Sequence, residues 1–158
     1  MSCNLPSELL SYIELVESEA YRVCEEQKAL IAYVRRCFQE EPLRVDAEQL
    51  HQYLRLLKYF PYAKLFPWEQ FLFTLWNCTY QTNGEPRWKT LFCMVGRGAG
   101  KDGYIAFDAA CSVSPYNPVS HYNVDICANN EEQAMTPVRD IVEALEQPGQ
   151  EAKLKRHF

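Results

Sequence analysis

Apolar side chains recur at helical spacing through the first sixty residues. One stripe begins after Ser7, and a second ends where Glu41 and Pro42 interrupt it. A third follows Asp46, a residue type that favours the N-cap of a helix. The stripes are Leu9, Tyr12, Ile13 and Val16, then Leu30, Tyr33, Val34, Cys37 and Phe38, then Leu50, Tyr53, Leu54 and Leu57. This pattern predicts a helical N-terminal region over residues 1–60.

A fourth helix is predicted after a connector that runs from Pro61 to Pro67. Residues 68–76 are apolar around most of a helical circumference, which indicates a helix buried inside a domain. The stretch 81–86 that follows is rich in turn residues and predicts a loop. Residues 61–158 together are predicted to form a second domain.

From residue 90 onward the pattern changes to alternating strands and helices. Residues 90–95 form a short apolar run bounded by glycines, which predicts a buried strand. A helix over about 102–112 follows, and residues 122–127 predict a second strand. Right-handed crossovers would make the two strands parallel. The fold class predicted is α/β, with the helical region followed by the βαβα beginning of an incomplete parallel sheet.

The last predicted helix starts at Asn129 or Asn130, either of which is a good N-cap. Pro137 is expected to kink or restart this helix, because proline removes a backbone donor. The turn residues 147–149 are expected to end it. Two strands do not make a stable open sheet, so the parallel sheet begun here is expected to be incomplete.

Composition narrows the classes of protein that fit. The chain has 158 residues, 47% of them apolar, which suits one folded domain, and its formal charge of −5 shows no strongly basic DNA-binding balance. The seven cysteines contain no C-x-x-C pair and predict free, buried thiols in a reducing compartment. The thiol pattern therefore predicts a cytoplasmic protein, and because no apolar run approaches the ~20 residues that span a bilayer, we expect no membrane contact.

Residues 95–103, Val-Gly-Arg-Gly-Ala-Gly-Lys-Asp-Gly, carry the first indication of chemistry. The phosphate-binding pattern is G-x-x-x-x-G-K-[ST], and here Val95 replaces its first glycine and Asp102 its hydroxyl residue. Glycine-rich backbone can point several N–H groups at one anion, and the following helix and Lys101 add positive charge. The alternative is a purely structural turn. The predicted nucleotide-binding residues of this loop are Gly96, Arg97, Gly98, Ala99, Gly100, Lys101 and Asp102.

Two charged residues of the loop raise separate questions. Asp102 offers a hard oxygen ligand for Mg²⁺ but also places negative charge beside the phosphates. We therefore expect nucleotide binding to depend unusually strongly on Mg²⁺. Arg97 either forms a surface salt bridge or contacts the γ-phosphate, as an arginine finger does when it is supplied by the same chain.

The order of four segments resembles the N-terminal part of the large terminase subunit of tailed bacteriophages. The segments are 12–18 (Tyr-Ile-Glu-Leu-Val-Glu-Ser), 68–71 (Trp-Glu-Gln-Phe), the glycine loop, and 125–134 (Asp-Ile-Cys-Ala-Asn-Asn-Glu-Glu-Gln-Ala). The resemblance covers roughly residues 10–146. Proteins of this family are ATP-driven motors and nucleases that package viral DNA into procapsids.

The resemblance implies roles for individual residues. Gln70 matches the glutamine that reads adenine, and Lys101 matches the phosphate lysine. Arg97 matches a loop arginine, so Arg97 and Lys101 are the expected catalytic residues, with ATP and Mg²⁺ as cofactors. Gln133 matches a glutamine with a structural or coupling role. The family also implies double-stranded DNA, the small terminase subunit, the portal and other large-subunit copies as partners, in the cytoplasm of a bacterial host.

The sequence lacks a later strand that ends in an acidic pair, and it lacks a nuclease carboxylate cluster. We therefore expect an N-terminal fragment that binds ATP without hydrolysing it. One alternative is a docking or self-associating helical module in which the loop is vestigial. Another is a helicase-like P-loop ATPase.

Overall fold

The computed structural model describes residues 5, 7–18 and 20–146. Within these residues it is mostly helical, with one two-stranded antiparallel sheet and one 3-10 helix, Arg55–Tyr59. No helix in this part of the chain is long and apolar enough to cross a membrane. The helices are α1 Ser7–Glu17, α2 Glu25–Glu40, α3 Ala47–Leu54, α4 Pro67–Cys78, α5 Lys101–Val113 and α6 Glu131–Leu145; strand β1 is Arg44–Val45 and β2 is Thr79–Tyr80.

Internal contacts divide the chain into two compact units. The first contains the residues up to Leu50 together with Phe66–Phe92, and the second contains His51–Leu65 together with the residues from Cys93 onward. The two units therefore alternate along the chain. The predicted division into residues 1–60 and 61–158 remains a prediction.

The core of the first unit confirms the predicted stripe of α1 and, in α2, the burial of Val34 and Cys37, whereas Tyr33 of the second stripe is 37% exposed. α1 packs against α2 and α4, and α4 is buried as its apolar circumference predicted. α2 ends at Glu40, directly before the expected interruption. The buried core residues of this cluster are Leu5, Leu9, Tyr12, Ile13, Val16, Ile31, Val34, Phe71 and Leu75.

Side-chain caps fix where the helices of the first unit begin. Asp46 accepts a hydrogen bond from the Gln49 amide at 3.0 Å, which confirms the N-cap predicted for α3. At the start of α4, the Glu69 carboxylate accepts a hydrogen bond from the Phe66 amide at 2.8 Å. Glu69 is itself buried, with 4% of its surface exposed. This burial raises the pKa of the Glu69 carboxyl, and the hydrogen bond opposes the shift.

The second unit is built on α5, which packs along α6. Phe107 of α5 is fully buried, and the Phe60 ring lies edge-on to it with the ring centroids 5.6 Å apart. The Asn130 side chain caps α6 by accepting a hydrogen bond from the Gln133 amide at 2.9 Å. The cap predicted for this helix is therefore confirmed.

Pro137 does not restart α6, so this half of the prediction is wrong, whereas the alternative, a kink, stays a prediction. The helix runs from Glu131 to Leu145 with Pro137 inside it. One turn is reinforced by the Thr136 hydroxyl, which donates to the Glu132 carbonyl at 3.1 Å. Pro137 is buried within the helix although it has no backbone N–H to donate. The predicted end at 147–149 lies outside the described residues.

The structure does not show the two predicted parallel strands. Residues 90–95 and 122–127 have no strand pairing, and Phe92 and Met94 are 86% and 85% exposed. A strand requires a neighbour to satisfy its backbone, and a parallel sheet requires cover on both faces. In the described part of the chain the only paired strands are β1 and β2, which pair with each other. A βαβα arrangement is therefore not seen.

The cysteines depart in part from the sequence expectation. None of the six in the described part of the chain forms a disulfide, but only three of them are buried as predicted. The buried ones are Cys37, Cys78 and Cys111, and the exposed ones are Cys24, Cys93 and Cys127. The exposed thiols at 93 and 127 lie in the two segments that are not formed as strands. Cys3 lies outside the described residues.

We expect Glu69→Gln to stabilise the protein at pH 7. Because burial raises the pKa of Glu69, the folded state is most stable when Glu69 is protonated. This contribution to the free energy of unfolding is fully present below the pKa that Glu69 has in the unfolded chain, and it is lost as pH rises through its pKa in the folded chain. Glutamine keeps an oxygen for the Phe66 amide and carries no charge. Urea unfolding should show the variant to be more stable than the parent at pH 7, with the difference shrinking toward pH 4.

The matched control is Glu69→Ala, which removes the acceptor of the Phe66 amide. It should lower the free energy of unfolding by about 1 kcal/mol near pH 4, as the loss of a cap does, and by less at pH 7, where the parent also bears the cost of the buried charge. A Gln variant less stable than the parent at pH 7 would contradict the burial argument.

Candidate nucleotide-binding site

The glycine loop forms a compact turn directly before α5. The Ala99 amide donates to the Gly96 carbonyl at 3.3 Å, which closes the turn. Gly98 and Gly100 have φ angles of +81° and +89°, in the left-handed region where a side chain would be strained. Gly100 is the residue that caps α5. Two of the three loop glycines are therefore required by the backbone path itself.

The loop leaves backbone groups accessible to an anion. A Cβ atom added at Gly96 or Gly98 would meet nothing within 4 Å, so both positions are open. The Tyr104 amide makes the first hydrogen bond of α5, to the Gly100 carbonyl at 3.0 Å. The amides of residues 101–103 consequently have no acceptor within the helix. Together with the positive end of the helix dipole, this is the arrangement that binds phosphate groups.

Two exposed cations lie at this site. Arg97 is in the turn, and Lys101 is the first residue of α5. The Lys101 ammonium forms an ion pair with the carboxylate of the next residue, Asp102, and both side chains are more than half exposed. An exposed ion pair contributes little free energy. A phosphate can therefore compete with Asp102 for Lys101.

Asp102 also interacts electrostatically with a carboxyl group of α6. The pKa of Asp140 on α6 is raised, first by burial and then by the carboxylates of Glu143 and Asp102. Asp102 is thus within electrostatic reach of α6. Among the residues that the structure describes, no group of three or more His, Cys, Asp and Glu side chains is arranged to hold a metal ion. Asp102 remains the one loop carboxylate that can offer an oxygen to Mg²⁺.

Gln70 belongs to the first unit, whereas the loop belongs to the second. It lies on α4, half-buried, and its backbone carbonyl accepts a hydrogen bond from the Thr74 hydroxyl at 2.8 Å. Its side-chain amide forms no hydrogen bond with the described residues. The neighbouring Trp68 packs against the core of the first unit, while Phe66 is 58% exposed.

The sequence pattern did not single out Tyr62 and Gly103, which contact each other at the start of α5. The Tyr62 hydroxyl donates a hydrogen bond to the Gly103 carbonyl at 2.5 Å. A Cβ atom on Gly103 would lie 3.0 Å from the nearest carbon of the Tyr62 ring. The signal that could have revealed this contact is a glycine in the first turn of a helix, where alanine would be the better helix former.

Comparison of the chain with protein families, with curated proteins and with solved structures gives no match.

We expect Asp102→Asn to lower the pKa of Asp140, because it removes one of the negative charges that raise it. Nuclear magnetic resonance titration of the Asp140 carboxyl measures the change directly. Glu143→Gln should shift the same pKa in the same direction. The control is Asp46→Asn, which neutralises the carboxylate that caps α3 in the first unit. It should leave the pKa of Asp140 unchanged. An Asp140 titration unaffected by Asp102→Asn would contradict the electrostatic coupling.

Proposed function

We propose that this chain carries the nucleotide-binding loop of an ATP-driven DNA-packaging motor of the terminase large-subunit type. The observation that carries the proposal is the turn closed by Ala99 and Gly96, with Lys101 as the first residue of the following helix. This arrangement combines open backbone amides, a helix N-terminus and a lysine at one point. The order of the motifs along the chain supplies the choice of family.

Under this proposal each loop residue has a distinct task. The amides of residues 101–103 and those loop amides other than that of Ala99 bind the phosphate oxygens, and Lys101 neutralises the β- and γ-phosphates. Arg97 is exposed and free of ion pairs with the described residues, which suits contact with the γ-phosphate. The adenine-reading role that the resemblance implies for Gln70 stays a prediction. Asp102 supplies an oxygen to Mg²⁺ bound with the nucleotide.

The wider setting follows from the same family proposal. The partners would be double-stranded DNA, the small terminase subunit, the portal and other copies of the large subunit, in the cytoplasm of an infected bacterium. Binding to DNA would rest on local cations, since the formal charge of the chain is −5.

We expect ATP with Mg²⁺ to raise the melting temperature, and Lys101→Ala to remove most of that rise because the phosphates lose their lysine. Differential scanning fluorimetry measures both effects. We expect no ATP turnover above background in a phosphate-release assay. Lys64→Ala, which removes an exposed lysine of the second unit outside the loop, is the matched control and should keep the full shift.

Two results would contradict the proposal in different ways. The absence of any ATP-induced shift would contradict nucleotide binding. Phosphate release that is lost in Lys101→Ala would contradict binding without turnover, and it would make this chain an ATPase by itself.

Magnesium should matter more here than in loops that carry a hydroxyl. Asp102 places a negative charge beside the phosphates and holds the Lys101 ammonium, so without metal it opposes nucleotide binding. Calorimetric titration should show ATP affinity falling strongly when Mg²⁺ is removed. Asp102→Ser should bind metal-free ATP more tightly than the parent chain does. Equal affinities of the parent chain with and without Mg²⁺ would contradict this role of Asp102.

A second candidate function is favoured by one specific observation. Phe92 and Met94, beside the loop in sequence, are 86% and 85% exposed, and large exposed apolar side chains mark interaction surfaces. The chain would then be a docking or self-associating module whose loop is vestigial. This candidate expects dimers or larger species in size-exclusion chromatography and no melting shift with ATP.

A further inference from the structure

Tyr62 and Gly103 form a contact that no motif of the sequence accounts for. We propose that Tyr62 is a positioning residue: it holds the first turn of α5 so that the amides and Lys101 meet the phosphates. This inference rests on the proposed nucleotide-binding function. It adds a residue that lies thirty-nine positions before Lys101 in sequence and outside every phosphate-binding motif.

The identity of residue 103 is explained by Tyr62 and not by the backbone. Gly103 lies in the first turn of α5 and is not among the positive-φ glycines. Any residue could adopt its helical conformation, and alanine would do so more favourably. A Cβ atom there would lie 3.0 Å and 3.3 Å from two carbons of the Tyr62 ring. The ring occupies the space that a side chain would need.

The Tyr62 hydroxyl fixes the same point a second time. It donates to the Gly103 carbonyl at 2.5 Å. A carbonyl oxygen has two lone pairs, so it can accept this hydrogen bond in addition to one within the helix. Ring contact and hydrogen bond together determine both the distance and the rotation of the first turn relative to Tyr62.

The Tyr62 ring is itself positioned by packing against a second aromatic residue that contacts α5. Its ring packs on Phe60 with centroids 5.5 Å apart, and Phe60 lies edge-on to Phe107 of α5 at 5.6 Å. Residues 103 and 107 are four positions apart, and therefore lie on the same face of the helix. The segment 60–62 thus contacts α5 at two successive turns, which opposes tilting or sliding of its N-terminus.

The consequence for the site is geometric. The amides of residues 101–103 and the Lys101 side chain belong to the turn that Tyr62 contacts. A phosphate bound by several N–H groups at once requires them to converge on one position, and a small displacement of the helix start removes part of that convergence. Gly98 and Gly100 allow the loop its path, whereas Tyr62 fixes the end to which the loop is attached.

Four variants of the full chain test this role. They are Tyr62→Phe, Tyr62→Ala, Gly103→Ala, and the double variant that combines Tyr62→Ala with Gly103→Ala. ATP·Mg²⁺ affinity is measured by calorimetry at a temperature where unfolding curves show each variant to be folded. Tyr62→Phe removes only the hydroxyl and should weaken affinity roughly threefold to tenfold, the range for one lost hydrogen bond. Gly103→Ala should weaken affinity at least as much, because its Cβ displaces the ring.

Thermal unfolding tests the contact separately from nucleotide binding. With Tyr62 present, Gly103→Ala should lower the melting temperature. In the Tyr62→Ala background the same substitution should raise it, because the space is then open and alanine is the better helix former. Ile31→Val, a mild core substitution in the first unit, is the control that lowers stability and should leave ATP affinity unchanged.

The outcomes separate this inference from the function on which it rests. Parent-like ATP affinity in folded Tyr62→Phe and Gly103→Ala would overturn the positioning role while leaving nucleotide binding intact. A parent chain that binds no ATP would overturn both. The same fall in melting temperature for Gly103→Ala with and without Tyr62 would show that the ring contact does not determine residue 103.

Discussion

Backbone hydrogen bonding is the constraint on which the architecture of this chain depends. Every buried N–H and C=O needs a partner, and helices supply their partners within one segment. A strand depends on a neighbour, and in the described part of the chain only β1 and β2 pair as strands. The apolar segments 90–95 and 122–127 therefore run along the surface, although their composition suits the interior of a sheet. The glycine loop follows segment 90–95. Because this segment has no strand partner, the position of the loop depends on α5, to which its other end is attached.

The start of α5 is accordingly the best-determined part of the candidate site. Gly100, the residue before the helix, has a left-handed backbone conformation. The Tyr62 hydroxyl donates a hydrogen bond to the carbonyl of Gly103, the third residue of the helix. Phe60 joins this contact to the buried face of α5 through Phe107. A site composed mainly of exposed loop residues thus has a rigid attachment on one side. Such support by packed aromatic residues is what gives a short loop a defined geometry.

The electrostatics of the site are nearly balanced before any ligand binds. Lys101 is paired with Asp102, and Asp102 and Glu143 each raise the pKa of Asp140 on the neighbouring helix. Arg97 is the cation of the loop that has no ion pair with the described residues. A phosphate would therefore meet a site in which one cation is available and the other has to be released, and a divalent metal would offset the acidic side. The departure from the usual hydroxyl residue thus changes the charge of the site as well as its possible metal ligand.

Local features of the sequence determined the helices of this protein. The stripes of α1 and α2, the interruption at Glu41 and the caps at Asp46 and Asn130 act within a few residues of one another, so periodicity and capping suffice to place them. The turn before Lys101 could also be predicted, because its glycines are close together in the sequence. Only the tertiary structure decided that residues 90–95 and 122–127 lack strand partners, that Pro137 stays inside α6, and that Tyr62 meets Gly103. Each of these depends on which groups, distant in sequence, lie beside the segment in the folded chain, and a local pattern does not specify those neighbours.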